Sequence, residues 1–584
     1  MERRGEWALT RATLRAVARE GRAWARRALD TPLDYLPRSP DAVVLSPPDI
    51  LPGDSEAARA LYGGRYALAG HTIETDGGSP FDVADAPREW LRALHGFGWL
   101  RHSRALGTAL SRSHARSMTE DWIERHGGGP LRGRRAGVAW EPIVSASRLR
   151  HWLSHAHALL GGEDEAFLAT FLRQIALHER HVRRAARDTH DPLMRLRLVA
   201  VLLLTSFALG GGSRDQRRLT AWLEDELARQ ILPDGGHVSR RAEALVELAV
   251  ELMPLLQCYV GQGRVAPREL LKAIDRMGPA LRMHIHADET LAMLNGTNCV
   301  RMDRLRALLE LDPAGGARPV VSVPANAPDS GYQRLAIGGT VVLADTGTVP
   351  AFEHASRASV APLAFELSTD VGTGGGARRL IVSLGSSPEG GEELSRALRF
   401  AAAHSTLTVD RRDLGRINVE GMGARLTGET MVGGPDAVDV RRADAEDGSW
   451  RGFRATHDGY AREPGGPLHE RILTLTNGGR ELRGQDGLKP RAGDGADRFA
   501  APAATIRFHL HPDVAAAERA DGVHLSWATG AGWTFSVDGE GAPVPRIEES
   551  LYCGGRGPRP TRQIVLHLPE GRGTVAWTLR ANDA

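Results

Sequence analysis

The sequence predicts a multidomain α+β chain, with helices first and an antiparallel β-sandwich after them. Two observations carry that expectation. From about Pro87 to Leu311, apolar residues recur at i, i+3, i+4 and i+7, the spacing that gathers them on one face of a helix. After Asp312 the pattern shortens to runs of period two or of buried-strand character, punctuated by Gly, Asp and Pro. Helices and strands in separate blocks are the α+β or two-domain signature.

The first 85 residues read as a helical or irregular extension. Its opening, MERRGEWALTRATLRAVAREGRAWARRAL, sets apolar residues among arginines at helical spacing, so an amphipathic helix packed on the body is expected. Residues 86–311 hold at least seven helices in series, among them REWLRALHGFGWLRHSRALGTAL, DEAFLATFLRQIALHERHVRRAA and AEALVELAVELMPLLQCYV. Their links are as short as GGED, THDP and PDGG. Helices joined so tightly pack as antiparallel pairs, in a bundle, a solenoid or a closed toroid. The longest apolar run, Leu198 to Leu209, falls short of the roughly 20 residues that span a bilayer and is expected as a buried core helix. Residues 312–328 form a Pro/Gly/Ala connector. Residues 329–584 carry short strands such as YQRLAIGG, TVVLADTG, LAFELST, RILTLTN and RQIVLHL.

Composition narrows the function. In 584 residues, 42% are hydrophobic and 25% charged, enough for full cores and unlike a disordered, collagen-like or small disulfide-built chain. Lys+Arg number 74 against 72 Asp+Glu, and only Lys272 and Lys489 are lysines. The helical half is mildly basic and the sandwich half mildly acidic, a split that suits an anionic ligand. Aromatics are 5% and scattered, without the basic stripe that nucleic acid requires, so no nucleic acid partner is expected. No integral membrane segment and no signal-type apolar region stand out. The three cysteines, Cys258, Cys299 and Cys553, read as buried thiols. The expected location is cytoplasmic, with cell-envelope association as an alternative.

Ordered phrases go beyond composition. SGYQRLAIGG (330–339), VLADTGTVP (342–350), SRASVAPLAFELS (356–368), ALRFAAAHSTLTV (397–409), ATHDGYAREPGGPLHERILTL (455–475), RFHLHPDV (507–514) and IEESLYCGG (547–555) follow one another in register. With HGFGWLRHSRALG, ILPDGGHVSRRAEAL and HADETLAMLNG before them, they resemble the heparinase II/III family of polysaccharide lyases from about residue 86 onward. The resemblance implies an incomplete α/α toroid followed by an antiparallel β-sandwich, with an active-site cleft between. It implies β-elimination on uronic-acid-containing glycans. A cationic or polar group neutralises the uronate carboxylate, a Tyr or His takes the C5 proton, and an acid protonates the leaving 4-oxygen. The implied partner is an acidic polysaccharide or oligosaccharide. Such sandwiches often pair, so a homodimer is one expected state.

Carried onto this sequence, the family's pattern is incomplete. After PDGGHVSRR, where relatives place a catalytic tyrosine, this chain has Ala244 or its neighbour. His237 is then a candidate catalytic group, and Arg240 and Arg241 are candidate carboxylate clamps. His286 and Asn295 are candidate substrate contacts at the toroid rim, although Asn295-Gly296 also reads as a plain turn. Positions that bind zinc in metal-containing relatives hold Ser359, Ser383 and His404; one ligand in three does not make a site, so neither metal nor cofactor is expected. His404 stays a candidate catalytic residue. Arg357 is a candidate substrate contact, since arginine binds a carboxylate but accepts no proton at neutral pH. In the last cluster, Tyr460 and His469 are the expected proton-transfer groups and His457 and Arg471 the expected substrate contacts. The competing account is a hydrogen-bonded turn in which Gly459 takes positive φ and Arg471 pairs with Asp458. Two functions follow: a lyase, or an eroded relative that binds an anionic glycan or envelope precursor without cleaving it.

Overall fold

A computed structural model describes residues 10–582 apart from 12, 19, 22–24, 26–38, 84, 130–136, 162–163, 299, 301, 311–321, 387–390, 411, 462–465, 492–498 and 556. Much of the N-terminal amphipathic stretch, most of the connector and Cys299 lie outside the described residues; Cys258 and Cys553 are buried.

The helical half is an incomplete toroid of paired helices. Its centre is Pro192–Ala208, which packs against Pro142–Ser154, Glu165–Asp188, Ser213–Gln230 and Ala242–Gly261. Asp191 caps it by accepting from Met194 N at 3.1 Å, and Pro192 fills the first turn, where no backbone donor is needed. From Leu198 to Ala208 every residue is buried, as an all-round apolar helix demands. One described helix, Ala242–Gly261, is long and apolar enough to cross a membrane, yet most of it is buried inside the protein. At the outer end of the toroid, the fully buried Arg148 lies 3.8 Å over the Trp122 ring and donates to His178 Nε2, His95 O and Ala139 O.

Among the described residues, the second half is built from three large antiparallel sheets and a two-stranded one that pairs 415–418 with 430–433. The largest runs in spatial order 438–444, 451–457, 468–476, 481–489, 574–581, 532–538, 522–526 and 515–519. A five-stranded sheet covers 326–327, 332–337, 340–345, 365–369 and 378–381, and a four-stranded one 546–552, 559–568, 504–509 and 407–409. The bridge between Ile381 and Leu510 joins these last two. Phe365, Phe508, Phe535 and Trp577 interlock where the layers meet. Strand 340–345 is buried at every position, because a sheet lies on one face and the toroid on the other.

Both cores hold neutral histidines. Burial pushes His95, His237 and His509 down to about 3, helped respectively by the nearby Arg148, His354 and His404. Their unfolded values stay near 6.5. The unfolded chain therefore binds more protons at mildly acid pH, and stability falls as pH drops below about 6.5. Each such ring costs about 1.4 kcal/mol of stability for every pH unit below that point, until the folded value is reached. Urea midpoints are expected to hold between pH 7 and 8 and to fall steeply between pH 6 and 4. A midpoint unchanged down to pH 4.5 contradicts this.

Candidate functional site in an arginine-lined cleft

The phrases PDGGHVSRR, SGYQ and ADTGT meet at the seam between toroid and sandwich. Arg240, held at φ 59°, reaches across it: Nε donates to Ser330 O at 2.7 Å, Nη1 to Thr348 O at 2.7 Å and Nη2 to Gly331 O at 3.1 Å. The guanidinium also pairs with Asp345, and the Tyr332 hydroxyl donates back to Arg240 O. Gly347 is needed here, because a Cβ would fall 2.5 Å from the guanidinium. Asp234 closes the seam by accepting from Ser330 N and Oγ at 2.7 and 2.9 Å. Arg240 is thus a bolt between the halves rather than a substrate clamp. His237, 1% exposed, is spent as well, with Nε2 on Gln230 Oε1 at 3.0 Å and Nδ1 on Ser239 Oγ at 2.7 Å.

The sandwich candidates lie in its core. Asp486 accepts from Arg471 Nε at 2.7 Å, His469 Nε2 at 3.0 Å and Trp577 Nε1 at 2.9 Å. With its proton on Nε2, His469 takes at Nδ1 the proton of His457 Nε2, 3.1 Å away, and His457 Nδ1 accepts from Gly459 N. Arg471 Nη1 reaches Leu363 O and Ser405 O. Arg471 therefore pairs with Asp486 and not with Asp458, which accepts from Asp436 N and Ala437 N; Gly459 is not among the positive-φ residues. The Tyr460 hydroxyl donates to Leu407 O at 3.0 Å, and burial pushes its pKa up. His404 Nε2 donates to Leu398 O at 3.2 Å. His286 sits between Ser368 Oγ and Glu366, and Glu366 also holds Arg379. Among the described residues, no three His, Cys, Asp or Glu side chains are grouped to hold a metal. Arg240, His286, Arg357 and Tyr460 do not converge on one cleft.

What does converge is a polar stripe on the toroid's inner helices. Ala242–Gly261 turns Glu243, Glu247 and Glu251, four residues apart, to one face. Arg197 crosses from Pro192–Ala208 and binds Glu247 at 2.8 Å and Glu251 at 2.9 Å. Arg241 binds Glu243 at 2.8 Å and Glu247 at 3.3 Å, leaving Nε without a hydrogen-bond partner. From the sandwich, Arg357 comes within 3.9 Å of Glu243 with its side chain 57% exposed. Burial alone would raise the Glu247 carboxyl; Arg197, Arg241, Arg357 and Arg304 outweigh it and hold it down to about 2. Asn295 staples this floor, donating to Ser239 O at 3.0 Å and accepting from Ser359 N at 3.3 Å. Gly296 presses so close that a Cβ would lie 1.9 Å from Arg357 O. Of the residues expected from sequence, Arg241, Asn295 and Arg357 therefore come together, with Asn295 placing the other two rather than facing a ligand.

Sequence reasoning missed Arg197, Arg304 and the three glutamates. The signal was present as charges at four-residue spacing inside an otherwise apolar helix, AEALVELAVEL, and as Arg197 at the head of the apolar run RLVAVLLL.

A helical toroid packed on an antiparallel β-sandwich is the fold of heparinase-type polysaccharide lyases, and solved structures share that fold. Heparinase III superposes with a TM-score of 0.67 at 14% identity, covering 94% of this chain and 88% of that one. A mutant of the heparan sulfate lyase HepC from Pedobacter heparinus gives 0.59 at 14% identity, covering 98% and 88%. Residues 321–578 match the model of the heparinase II/III-like C-terminal domain. FtsZ-localized protein C of Caulobacter vibrioides (strain NA1000 / CB15N) is 31% identical over 561 residues, 93% of this chain and 91% of that protein. The chain belongs to the heparinase II/III family.

Proposed function

We propose that this protein binds an acidic oligosaccharide or envelope precursor in the arginine-lined cleft and does not cleave it. One observation carries the reading. Of the proton-transfer candidates, Tyr460, His469 and His237 use their polar atoms inside the two cores and His404 is buried with Nε2 on Leu398 O and Nδ1 unpartnered, while the cleft presents arginines. Arginine neutralises a carboxylate but does not remove the neighbouring C5 proton. Arg357 is the exposed cation that meets the ligand first, and Arg241 lies behind it.

The second reading is a lyase acting by β-elimination on a uronate glycan, favoured by the family and by the position of the cleft. One experiment separates the two. The protein is titrated with uronate oligomers while near-ultraviolet absorbance reports any unsaturated product. Binding without a chromophore is expected. Arg357→Ala is expected to weaken it about tenfold or more, the worth of one charge-assisted pair. A chromophore that grows with enzyme concentration overturns the binding-only reading. The similarity to a protein named for FtsZ localisation supports a cytoplasmic place beside the envelope, tested by imaging a tagged chain together with FtsZ.

A further inference from the structure

The N-terminal helix roofs a cavity at the seam. Among the described residues this helix covers 10–11, 13–18 and 20–21. Arg15 and Ala16 border a cavity of about 270 Å³ whose walls come from both halves of the molecule, Arg195, Glu226 and Gln230 from the toroid and His354 and Ser356 from the sandwich. Two short links join it to the arginine-lined cleft. Ser356 is followed directly by Arg357, the exposed cation that comes within 3.9 Å of Glu243. Gln230 donates to Glu226 Oε2 at 2.8 Å and accepts from His237 Nε2 at 3.0 Å, and the His354 ring stands 6.1 Å from the His237 ring. Glu226, 3% exposed, is pinned further by Arg229 at 3.2 Å and Arg195 at 3.6 Å. The toroid wall is therefore fixed, and the wall free to move is the helix.

The helix is docked by the wrong face for a permanent fixture. Thr13, Ala16 and Glu20 share its inward side, and among its described residues only Ala16 is fully buried, at 2% exposed. Leu14 and Val17, which would gain far more from burial, point outward at 63% and 39% exposed. The sequence predicts an amphipathic helix packed on the body, and the structure docks it through its small side chains. A helix of about ten residues is marginal on its own, so one held by so little apolar burial belongs to the parts of a protein that open first. While it stays down, the cavity beneath it falls below the about 300–1,000 Å³ of sites that enclose a small ligand.

We propose that the N-terminal helix is a removable cover on one end of the cleft, which restricts the bound oligosaccharide to short chains until it lifts. A chain anchored by a carboxylate at Arg357 and running along residues 352–356 meets Arg15 and Ala16; a short chain ends before them. Lifting the helix unroofs the cavity and makes it an open extension of the cleft. A longer ligand then binds only after the opening cost has been met, which holds its affinity down to that of a shorter one. This length selection rests on the preceding reading of the cleft as a site for an acidic oligosaccharide.

Calorimetry on the full chain, with a uronate disaccharide and a uronate octasaccharide as separate probes, tests it together with hydrogen exchange at the amides around Ala16. The parent is expected to bind the two oligomers within about threefold of each other. Ala16→Pro, which breaks the helix, is expected to bind the octasaccharide about tenfold more tightly and the disaccharide as the parent does. Val17→Asp, on the outward side, should leave both affinities unchanged. In the parent, saturating octasaccharide is expected to speed exchange around Ala16, and saturating disaccharide to leave it as it was. Parent-like octasaccharide affinity in an Ala16→Pro protein whose exchange shows the helix lifted overturns the cover. So does exchange around Ala16 that slows or holds constant under saturating octasaccharide, and that measurement decides alone if Ala16→Pro keeps its helix docked. Binding of both oligomers without these effects sinks the cover and leaves the glycan reading standing. No binding of either oligomer, by parent or by Ala16→Pro, sinks the glycan reading and the cover with it.

Discussion

Replacing Arg240 with methionine is expected to destabilise the protein by about 3–5 kcal/mol, the usual cost of removing one partner from a buried pair. One side chain serves four acceptors on the far side of the seam, and it is 8% exposed. Its loss leaves Asp345 charged against the low-dielectric junction and strands three carbonyls, Ser330 O, Gly331 O and Thr348 O. Methionine also keeps the left-handed backbone at 240 without the contacts that hold it there. The damage should fall on the junction rather than on either core. Calorimetry is therefore expected to show one melt for the parent and two for the variant, as the halves lose their coupling. Asp345→Asn should give a smaller effect of the same kind, because the amide still accepts from the guanidinium. An Arg240→Met protein that melts in one step within about 1 kcal/mol of the parent contradicts the bolt.

That bolt explains where sequence reading succeeds and where it misassigns. The order of helices and strands is legible because periodicity is a local property, and burial on one face writes it into every segment. Leu198–Leu209 reads as a core helix for the same reason, although its last residue is only half-buried. The ordered phrases are legible as a family but not as a role. PDGGHVSRR, SGYQ and ADTGT carry small residues and the bridging arginine because two backbones approach closely, and sequence alone does not separate close approach to a chain from close approach to a sugar. His457, His469 and Arg471 lie on neighbouring strands whose inward faces are closed by Asp486 and Trp577, each supplied by a different strand. Nothing near His469 in the sequence announces Asp486. The cleft is legible only as a misfit: Glu243, Glu247 and Glu251 on an apolar helix mark an inward polar stripe, and its partners come from other helices and a sandwich loop.

Asp486→Asn is expected to cost a further about 3–5 kcal/mol, now inside the sandwich. Asp486 and Arg471 are both fully buried, and the carboxylate is the anion that compensates the guanidinium. Burial alone would raise the Asp486 pKa, but Arg471 and His469 hold it well below the usual carboxylate range. A depressed carboxyl adds stability above its unfolded pKa, near 3.9, and that share is lost as pH falls toward the folded value. Asparagine removes the charge at every pH, so the variant should lose the acid-dependent share of stability that the parent shows below pH 4. Replacing Arg471 and Asp486 together by leucine or methionine should recover part of the loss, since no uncompensated charge remains. An Asp486→Asn protein within about 1 kcal/mol of the parent would remove the network from the fold's support. The same geometry fixes what His469→Ala and Tyr460→Phe do. Their partners are Asp486, His457 and Leu407 O, none of which borders the cleft floor. Both variants should lower stability by about 1–2 kcal/mol through a lost buried hydrogen bond, while the folded fraction binds uronate oligomers with the parent's affinity. If either one instead abolishes binding or turnover at full folding, the proton-transfer groups belong to the functional site and the lyase reading gains the residues it lacks.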